Sequence, residues 1–239
     1  MTTYVLIHGA WHGGWCWGMV APLLKKRGHT AVAPDLPAHG KDTTPIPEVS
    51  LQSYTDRVCE ILDAQPEPVI LVGHSMGGLV ITQTAEYRPD KIRTLVYLCA
   101  FLPRNGESLL QLAQADPGGL VLPNLVMADD QLSATVRDEA IKDAFYGDCS
   151  DSDVAWAKLL LVPQPLAPLS TPVSTTEASF GRVPKVYIEC LQDRAVPPSL
   201  QKRMYSTLPC RQVISMDTSH SPFLSAPDKL VEHLTSLPV

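Results

Sequence analysis

One pentapeptide, Gly-His-Ser-Met-Gly at residues 73–77, constrains this chain more than any other feature because of what flanks it. Residues 69–72 are an unbroken apolar run typical of a buried strand, and residues 76–87 have the spacing of a helix. A glycine on each side of the serine lets the backbone turn sharply, although the turn strains the serine itself. The Ser75 hydroxyl then projects from a strand end with a helix N-terminus behind it, which favours developing negative charge. The pattern therefore predicts that Ser75 is a nucleophile.

The rest of the chain alternates short apolar runs with stretches of helical period. The runs lie at residues 4–7, 30–33, 69–72, 95–99, 185–190 and 212–216. Continuous apolar runs are typical of strands buried on both faces, and alternating β and α units indicate a parallel sheet covered by helices. We therefore predict an α/β fold with a mostly parallel central sheet and helices on both faces. The length of 239 residues fits one such domain.

This alternation stops between residues 103 and 182, where glycines, prolines and a Ser/Thr-rich run at 170–176 interrupt short segments of helical pattern such as 130–145. A structureless loop of this length is uncommon inside a compact domain. A disordered linker is the alternative, but the segment carries apolar residues that need packing partners. We predict a core of residues 1–102 and 183–239 with a helical cap inserted at 103–182; below, "the cap" means residues 103–182.

Composition excludes several classes of function. A net charge of −6 leaves no basic patch for nucleic acid. No apolar stretch approaches the roughly 20 residues that a membrane span needs, and the first residues do not resemble a targeting signal. The six cysteines have no paired spacing, so we expect free thiols in a reducing compartment, the cytoplasm by default, with a disulfide in a secreted protein as the alternative. A homodimer is compatible with the sequence.

A serine needs a neighbouring base to become a nucleophile, and that base needs an orienting carboxylate. Of the seven histidines, His220 follows the last apolar run, where the base is expected in this strand order. Asp193 follows the preceding run and is the predicted carboxylate. Glu189 lies within that run and Asp217 ends the last one, so both are weaker candidates. The predicted catalytic residues are Ser75, Asp193 and His220.

Two backbone N–H groups are expected to stabilise the oxyanion formed during the reaction. One belongs to Met76, directly after the nucleophile, and the other to Ala10 in the loop after the first run. Phosphate binding by that glycine-rich loop is disfavoured because no Walker lysine or G-x-G-x-x-G pattern follows. His8 and His12 lack a third ligand, so no metal is expected, and no cofactor either. His74 is predicted to pack or hydrogen-bond beneath the serine turn.

Four motifs resemble those of one branch of the α/β-hydrolases, the plant methylesterases and hydroxynitrile lyases. They are HGAWHGGWCW at residues 8–17, DLPAHG at 35–40, GHSMGG at 73–78 and SHSPF at 219–223. Bacterial carboxylesterases share the branch, including some that hydrolyse pyrethroid esters. The resemblance covers residues 4–101 and the chain from 185 onwards, and it is weak through the cap. It implies an α/β-hydrolase fold and a serine hydrolase.

Two departures from that resemblance favour ester hydrolysis. The lyases carry a threonine in the first loop and a lysine directly after the catalytic histidine, where this sequence has Gly9 and Ser221. Without that lysine no cation is available for a cyanide leaving group. A hydroxynitrile lyase-type enzyme and a non-catalytic small-ligand receptor on the same fold stay open as alternatives, as do haloperoxidase and C–C hydrolase activities.

The predicted substrate is a small-molecule apolar carboxylic ester, pyrethroid-type esters included, hydrolysed through an acyl-enzyme. Its pocket is expected between the serine turn and the cap. Eight apolar residues are pocket candidates, although each of them also fits a place in the core: Trp11, Trp17, Phe101, Leu102, Phe145, Trp156, Leu160 and Phe223.

Overall fold

Six parallel strands form the central sheet of the computed structural model, which describes residues 1–237. The strand order is β2-β1-β3-β4-β8-β9, so β1 and β2 lie on one side of β3, and β4, β8 and β9 lie on the other. β3 lies in the middle and all six of its residues are buried, as expected for an apolar run in a parallel sheet. The strands are β1 (Thr3–Ile7), β2 (Thr30–Val32), β3 (Val69–His74), β4 (Ile92–Leu98), β8 (Lys185–Cys190) and β9 (Gln212–Met216).

Helices connect these strands and cover the sheet. α2 packs on α3, and α1 packs on α10. α2 begins at a capping box, in which the Ser50 hydroxyl accepts from Ser53 N–H and the Ser53 hydroxyl accepts from Ser50 N–H. The predicted parallel sheet flanked by helices is confirmed. The helices outside the cap are α1 (Val20–Lys26), α2 (Leu51–Asp63), α3 (Gly77–Tyr87), α8 (Pro198–Thr207), α9 (Pro222–Ser225) and α10 (Pro227–Thr235).

The cap contains a small antiparallel sheet in addition to helices. Its strands, in the order β5-β6-β7, are β5 (Leu125–Met127), β6 (Ser133–Val136) and β7 (Gln164–Pro165). Its helices are α4 (Leu109–Gln114), α5 (Asp138–Phe145), α6 (Asp151–Lys158) and α7 (Ala167–Ser170).

The helical interpretation of residues 130–145 was wrong over its first half. β6 occupies 133–136 and α5 begins only at Asp138. Pairing with β5 and β7 on either side satisfies the backbone of β6, a tertiary contact that local periodicity does not reveal. The predicted limits of the cap, 103 and 182, stay predictions.

Two expectations from composition can be compared with the structure. All six cysteines are free thiols, as predicted, and all but Cys210 are buried. Through residues 1–237, the helices are too short or too polar to cross a membrane. The cytoplasmic location and the homodimer stay predictions.

Candidate active site

Ser75 lies in the sharp turn that joins β3 to α3. Its φ angle of +54° lies in the left-handed region, which costs strain for a residue with a side chain. The flanking glycines explain how the turn fits. A Cβ on Gly73 would lie 2.6 Å from the carbonyl oxygen of Gly77, and a Cβ on Gly77 would lie 2.8 Å from that of Ile7. The sharp turn predicted from the pentapeptide is therefore present, and the Ser75 side chain emerges above the end of the sheet.

His220 and Asp193 lie together in the loops that follow β9 and β8. His220 Nδ1 is 2.6 Å from Asp193 Oδ2, and both side chains are almost fully buried. Asp193 Oδ1 accepts from the backbone N–H groups of Ala195 (2.7 Å) and Val196 (2.8 Å), which leaves Oδ2 for the imidazole. A carboxylate at Nδ1 fixes the proton there and leaves Nε2 free to accept one. In the described structure the Ser75 hydroxyl has no hydrogen-bond partner.

His74 anchors the His220 loop from beneath. Its Nε2–H donates to the carbonyl oxygen of His220 (2.8 Å), and the two rings are 4.5 Å apart between centroids. Burial lowers the pKa of His74 well below its usual range, so the ring is neutral at neutral pH. This agrees with the predicted hydrogen-bonding place beneath the turn. A neutral His74 holds His220 without placing a positive charge beside it.

Ala10 and Met76 both line the same cavity as Ser75. Within residues 1–237, neither of their backbone N–H groups donates a hydrogen bond to the protein. Buried N–H groups are normally paired, so two unpaired donors next to one serine are unusual. Such donors are free to bind a negative oxygen that forms at the serine.

Two buried histidines, His8 and His12, brace the loop that carries Ala10, a structural role that the sequence did not indicate. His12 Nδ1–H donates to Ala10 O (2.8 Å), while its Nε2 accepts from the Tyr146 hydroxyl (2.7 Å). His8 Nδ1–H donates to the next residue's carbonyl (2.8 Å), while its Nε2 accepts from Leu36 N–H (3.0 Å). Burial lowers the pKa of His12 to about 3 and that of His8 well below its usual range. Both rings are therefore neutral bridges.

A cavity of about 530 Å³ rises from Ser75 towards the cap. Three of the predicted pocket residues line it, namely Trp11, Phe101 and Phe145. Most of the remaining wall comes from cap residues that the sequence analysis did not select, such as Leu109, Leu125 and Leu169. The apolar character of the cap was visible in the sequence, but which of its faces turns to the cavity was not.

The other five predicted pocket residues do not line the cavity. Trp17 and Phe223 pack against each other in the core, with centroids 5.6 Å apart. Leu102 is buried next to Met204, which accepts its N–H. Trp156 is 44% exposed and meets Trp15 edge-on. Leu160 is half-buried in the cap.

One cluster has the composition of a metal site. Ligand atoms of His74, Cys99 and His220 lie within 4.8 Å of one another, and all three residues are buried. His74 Nε2–H and Cys99 Sγ–H both donate to His220 O, at 2.8 and 3.4 Å, so the three residues are already joined by hydrogen bonds. Burial also raises the pKa of the Cys99 thiol well above its usual range, which disfavours the thiolate that binds metals. The cluster fits better as the hydrogen-bonded underside of the site.

Comparison with known proteins agrees with this geometry. The family model described as "Alpha/beta hydrolase family" matches residues 4–233. A pyrethroid hydrolase of Sphingobium wenxiniae is 32% identical, covering 97% of this chain and 86% of its own length. Methylesterase 2 of Arabidopsis thaliana is 33% identical, covering 98% of this chain and 95% of its own. The crystal structure of a pyrethroid hydrolase from Sphingobium faniae superposes with a TM-score of 0.88 at 31% identity, over 98% of this chain and 96% of that one.

Proposed function

The chain belongs to the alpha/beta hydrolase family, and from this premise we propose that it is a serine carboxylesterase for small apolar esters. The relatives named above are ester hydrolases, and this chain is a carboxylic ester hydrolase too. One observation carries the finer proposal. Ser75 and the unpaired N–H groups of Ala10 and Met76 share one cavity. The buried pair of His220 and Asp193, 2.6 Å apart from Nδ1 to Oδ2, supports the proposal with a base and its orienting carboxylate.

The proposed reaction passes through an acyl-enzyme. Ser75 Oγ attacks the ester carbonyl while His220 Nε2 takes its proton, and Asp193 stabilises the imidazolium that results. The N–H groups of Ala10 and Met76 hold the oxyanion, and each such donor contributes about 10²–10³ in rate. His220 then gives the proton to the leaving alkoxide. Finally it activates a water molecule that releases the carboxylic acid.

The cavity wall supports a preference for uncharged, apolar esters. Its volume of about 530 Å³ is within the usual range for small-molecule sites. Among the described residues that line it, Asp116 alone has a charged side chain, and this carboxylate already accepts from Ser199 Oγ (2.7 Å). A substrate carboxylate would therefore lose its hydration without meeting a cation. We propose neutral esters, with pyrethroid-type esters among them, as the substrate class.

The two alternatives have less support. A hydroxynitrile lyase would need a cation for the departing cyanide, but Ser221 follows His220 and no basic side chain lines the described cavity. A non-catalytic receptor would need the apolar cavity but not the hydrogen bond between His220 and Asp193 or the free N–H groups.

The test is a series of p-nitrophenyl esters of increasing acyl length, measured with the wild type and with Ser75→Ala. We expect turnover with a burst in the wild type and a loss of more than about 10³-fold in the variant. Release of benzaldehyde from mandelonitrile serves as the lyase control. Equal activity in both proteins would refute the serine mechanism, and a wild type without turnover would refute the esterase.

A further inference from the structure

Trp11, the residue after Ala10, is bound to the cap at three points. Its backbone N–H donates to Gln164 Oε1 (3.3 Å), its indole Nε1–H donates to Ala134 O (2.8 Å), and its carbonyl accepts from Val162 N–H (3.0 Å). Backbone and side chain are therefore both held. The loop that carries Ala10 is attached to the cap through Trp11.

Trp11 also has an unfavourable backbone conformation. Its φ angle of +62° lies in the left-handed region, where a bulky side chain is rarely found. Such a conformation persists only when surrounding contacts hold it. Loss of these contacts would let Trp11 relax to negative φ, and this rotation would turn the adjoining peptide groups of the loop. The Ala10 N–H lies one peptide further back, on the Cα that also carries the Ala10 carbonyl, so its position depends on Trp11 through the path of the loop.

Gln164 is the side chain that binds the Trp11 backbone. It lies in β7 and is fully buried. Its Oε1 also lies 3.0 Å from His39 Nε2, and its Nε2 donates to the Tyr54 hydroxyl (3.2 Å) and to Pro165 O (2.7 Å). A fully bonded buried amide has a fixed orientation, since any rotation breaks several hydrogen bonds at once. Gln164 is therefore a rigid support.

We propose that Gln164 is a positioning residue for the oxyanion site. It holds Trp11 in the left-handed conformation and so directs the Ala10 N–H at the oxyanion, although it touches no reacting atom. This inference rests on the proposed function, because it assigns Gln164 a task only if Ala10 binds an oxyanion. It makes the cap a support of the catalytic loop as well as a wall of the cavity.

The test replaces Gln164 with methionine, which has a similar volume but no amide. We expect kcat for p-nitrophenyl butyrate to fall about tenfold with KM unchanged within about twofold, since misdirected donors weaken transition-state binding only. Affinity for an alkyl trifluoromethyl ketone, which forms a tetrahedral adduct on the serine, is expected to fall by the same factor. Affinity for the matching methyl ketone is expected to stay constant.

Gln164→Glu and Gln83→Met are the controls. Gln164→Glu, as the neutral acid that full burial favours, keeps an acceptor for Trp11 N–H and a donor for Pro165 O, and is expected to retain most of kcat. Gln83 makes a comparable buried bridge, in which its amide exchanges two hydrogen bonds with the backbone of Ser174, but it does not touch the Ala10 loop. Gln83→Met should lower the melting temperature without lowering kcat. If Gln164→Met does not fold, Gln164→Asn replaces it in the kinetic test, because its shorter amide does not reach Trp11.

Three results would overturn the proposal. They are an unchanged kcat in the Gln164 variants that lack the acceptor, a loss confined to KM, or an equal loss of kcat in Gln83→Met. A wild type without esterase turnover would instead refute the proposed function, so the two failures are distinguishable.

Discussion

The loops after β1, β3, β8 and β9, called the floor here, hold buried polar groups such as His8, His12, Asp193 and His220. The wall that the cap supplies is built from aliphatic side chains such as Leu109, Leu125 and Leu169. In the floor, each ring nitrogen of His8 and His12 has one partner at hydrogen-bond distance. In the wall, contacts depend on volume and hydrophobicity alone.

This difference has a physical consequence. A hydrogen bond between buried groups has one acceptable geometry, and breaking it leaves an unsatisfied group at high cost. Aliphatic packing tolerates exchange as long as volume is kept. Changes in the floor should therefore alter rate, whereas changes in the wall should alter which substrate binds. The cap takes part in both, because its Asp148 Oδ2 accepts from Ser219 N–H (3.0 Å), next to His220.

Asp193→Asn should have the largest effect. The amide favours the wrong imidazole tautomer and does not stabilise its charged form, so we expect kcat to fall about 10⁴-fold with little change in KM. The control is Asp217→Asn, because Asp217 is closer to His220 in the chain but, among residues 1–237, its side chain bonds only to Gln192 Nε2. Steady-state kinetics on p-nitrophenyl butyrate decide the matter. A larger loss of kcat in Asp217→Asn than in Asp193→Asn would mean that Asp217, not Asp193, is the carboxylate that orients His220.

His12→Phe should reduce kcat by about 10- to 100-fold. The reason is that Ala10 O loses its hydrogen-bond donor, so the loop that carries Ala10 is no longer held through His12 to Tyr146. The substitution should also change the pH dependence of stability. The pKa of His12 is about 3 in the folded chain against a usual value of 6.5, so the unfolded chain binds more protons between these values. The stability that neutral His12 contributes is fully present above pH 6.5 and is lost as the pH falls towards 3.

Urea unfolding at pH 7, 5 and 4 measures this contribution. His8 and His74 act in the same direction, since burial lowers the pKa of each. The free energy of unfolding should therefore still fall with pH in His12→Phe, but less steeply than in the wild type. His29→Phe, at a half-buried position away from the cavity, is the control for kcat and should leave it unchanged. An identical slope in His12→Phe would contradict the neutral bridge.

Leu109→Ala should have the smallest effect on rate. It enlarges the wall, so we expect the preferred acyl chain to lengthen and KM for short esters to rise a few-fold, with kcat within about twofold. Leu112 lies in the same helix, is equally buried at 8% exposure and does not line this cavity. Leu112→Ala should destabilise the protein without changing the chain-length profile. A matching shift of that profile in both variants would mean that stability, not the wall, sets the preference.

Much of this molecule was predictable because its signals are local. The apolar runs predicted the strands of the central sheet, and the resemblance of four motifs predicted the family and an ester hydrolase, both of which are confirmed. Asp193 and His220 were selected from their positions after two strands, and they meet in the structure. Their catalytic role and that of Ser75 stay predictions.

Other features are decided by contacts between distant residues. β6 forms because β5 and β7 supply partners, and Trp17 and Phe223 are core because they face each other. Nothing local marks Gln164 as the support of Trp11, which lies 153 residues away in the chain. The sequence by itself determined the serine turn, the order of its partners and the class of reaction, since these depend on strand ends and short motifs. Only the tertiary structure decided the cavity wall and the support of the loop that carries Ala10, since burial and long-range hydrogen bonds depend on how the cap is placed on the core.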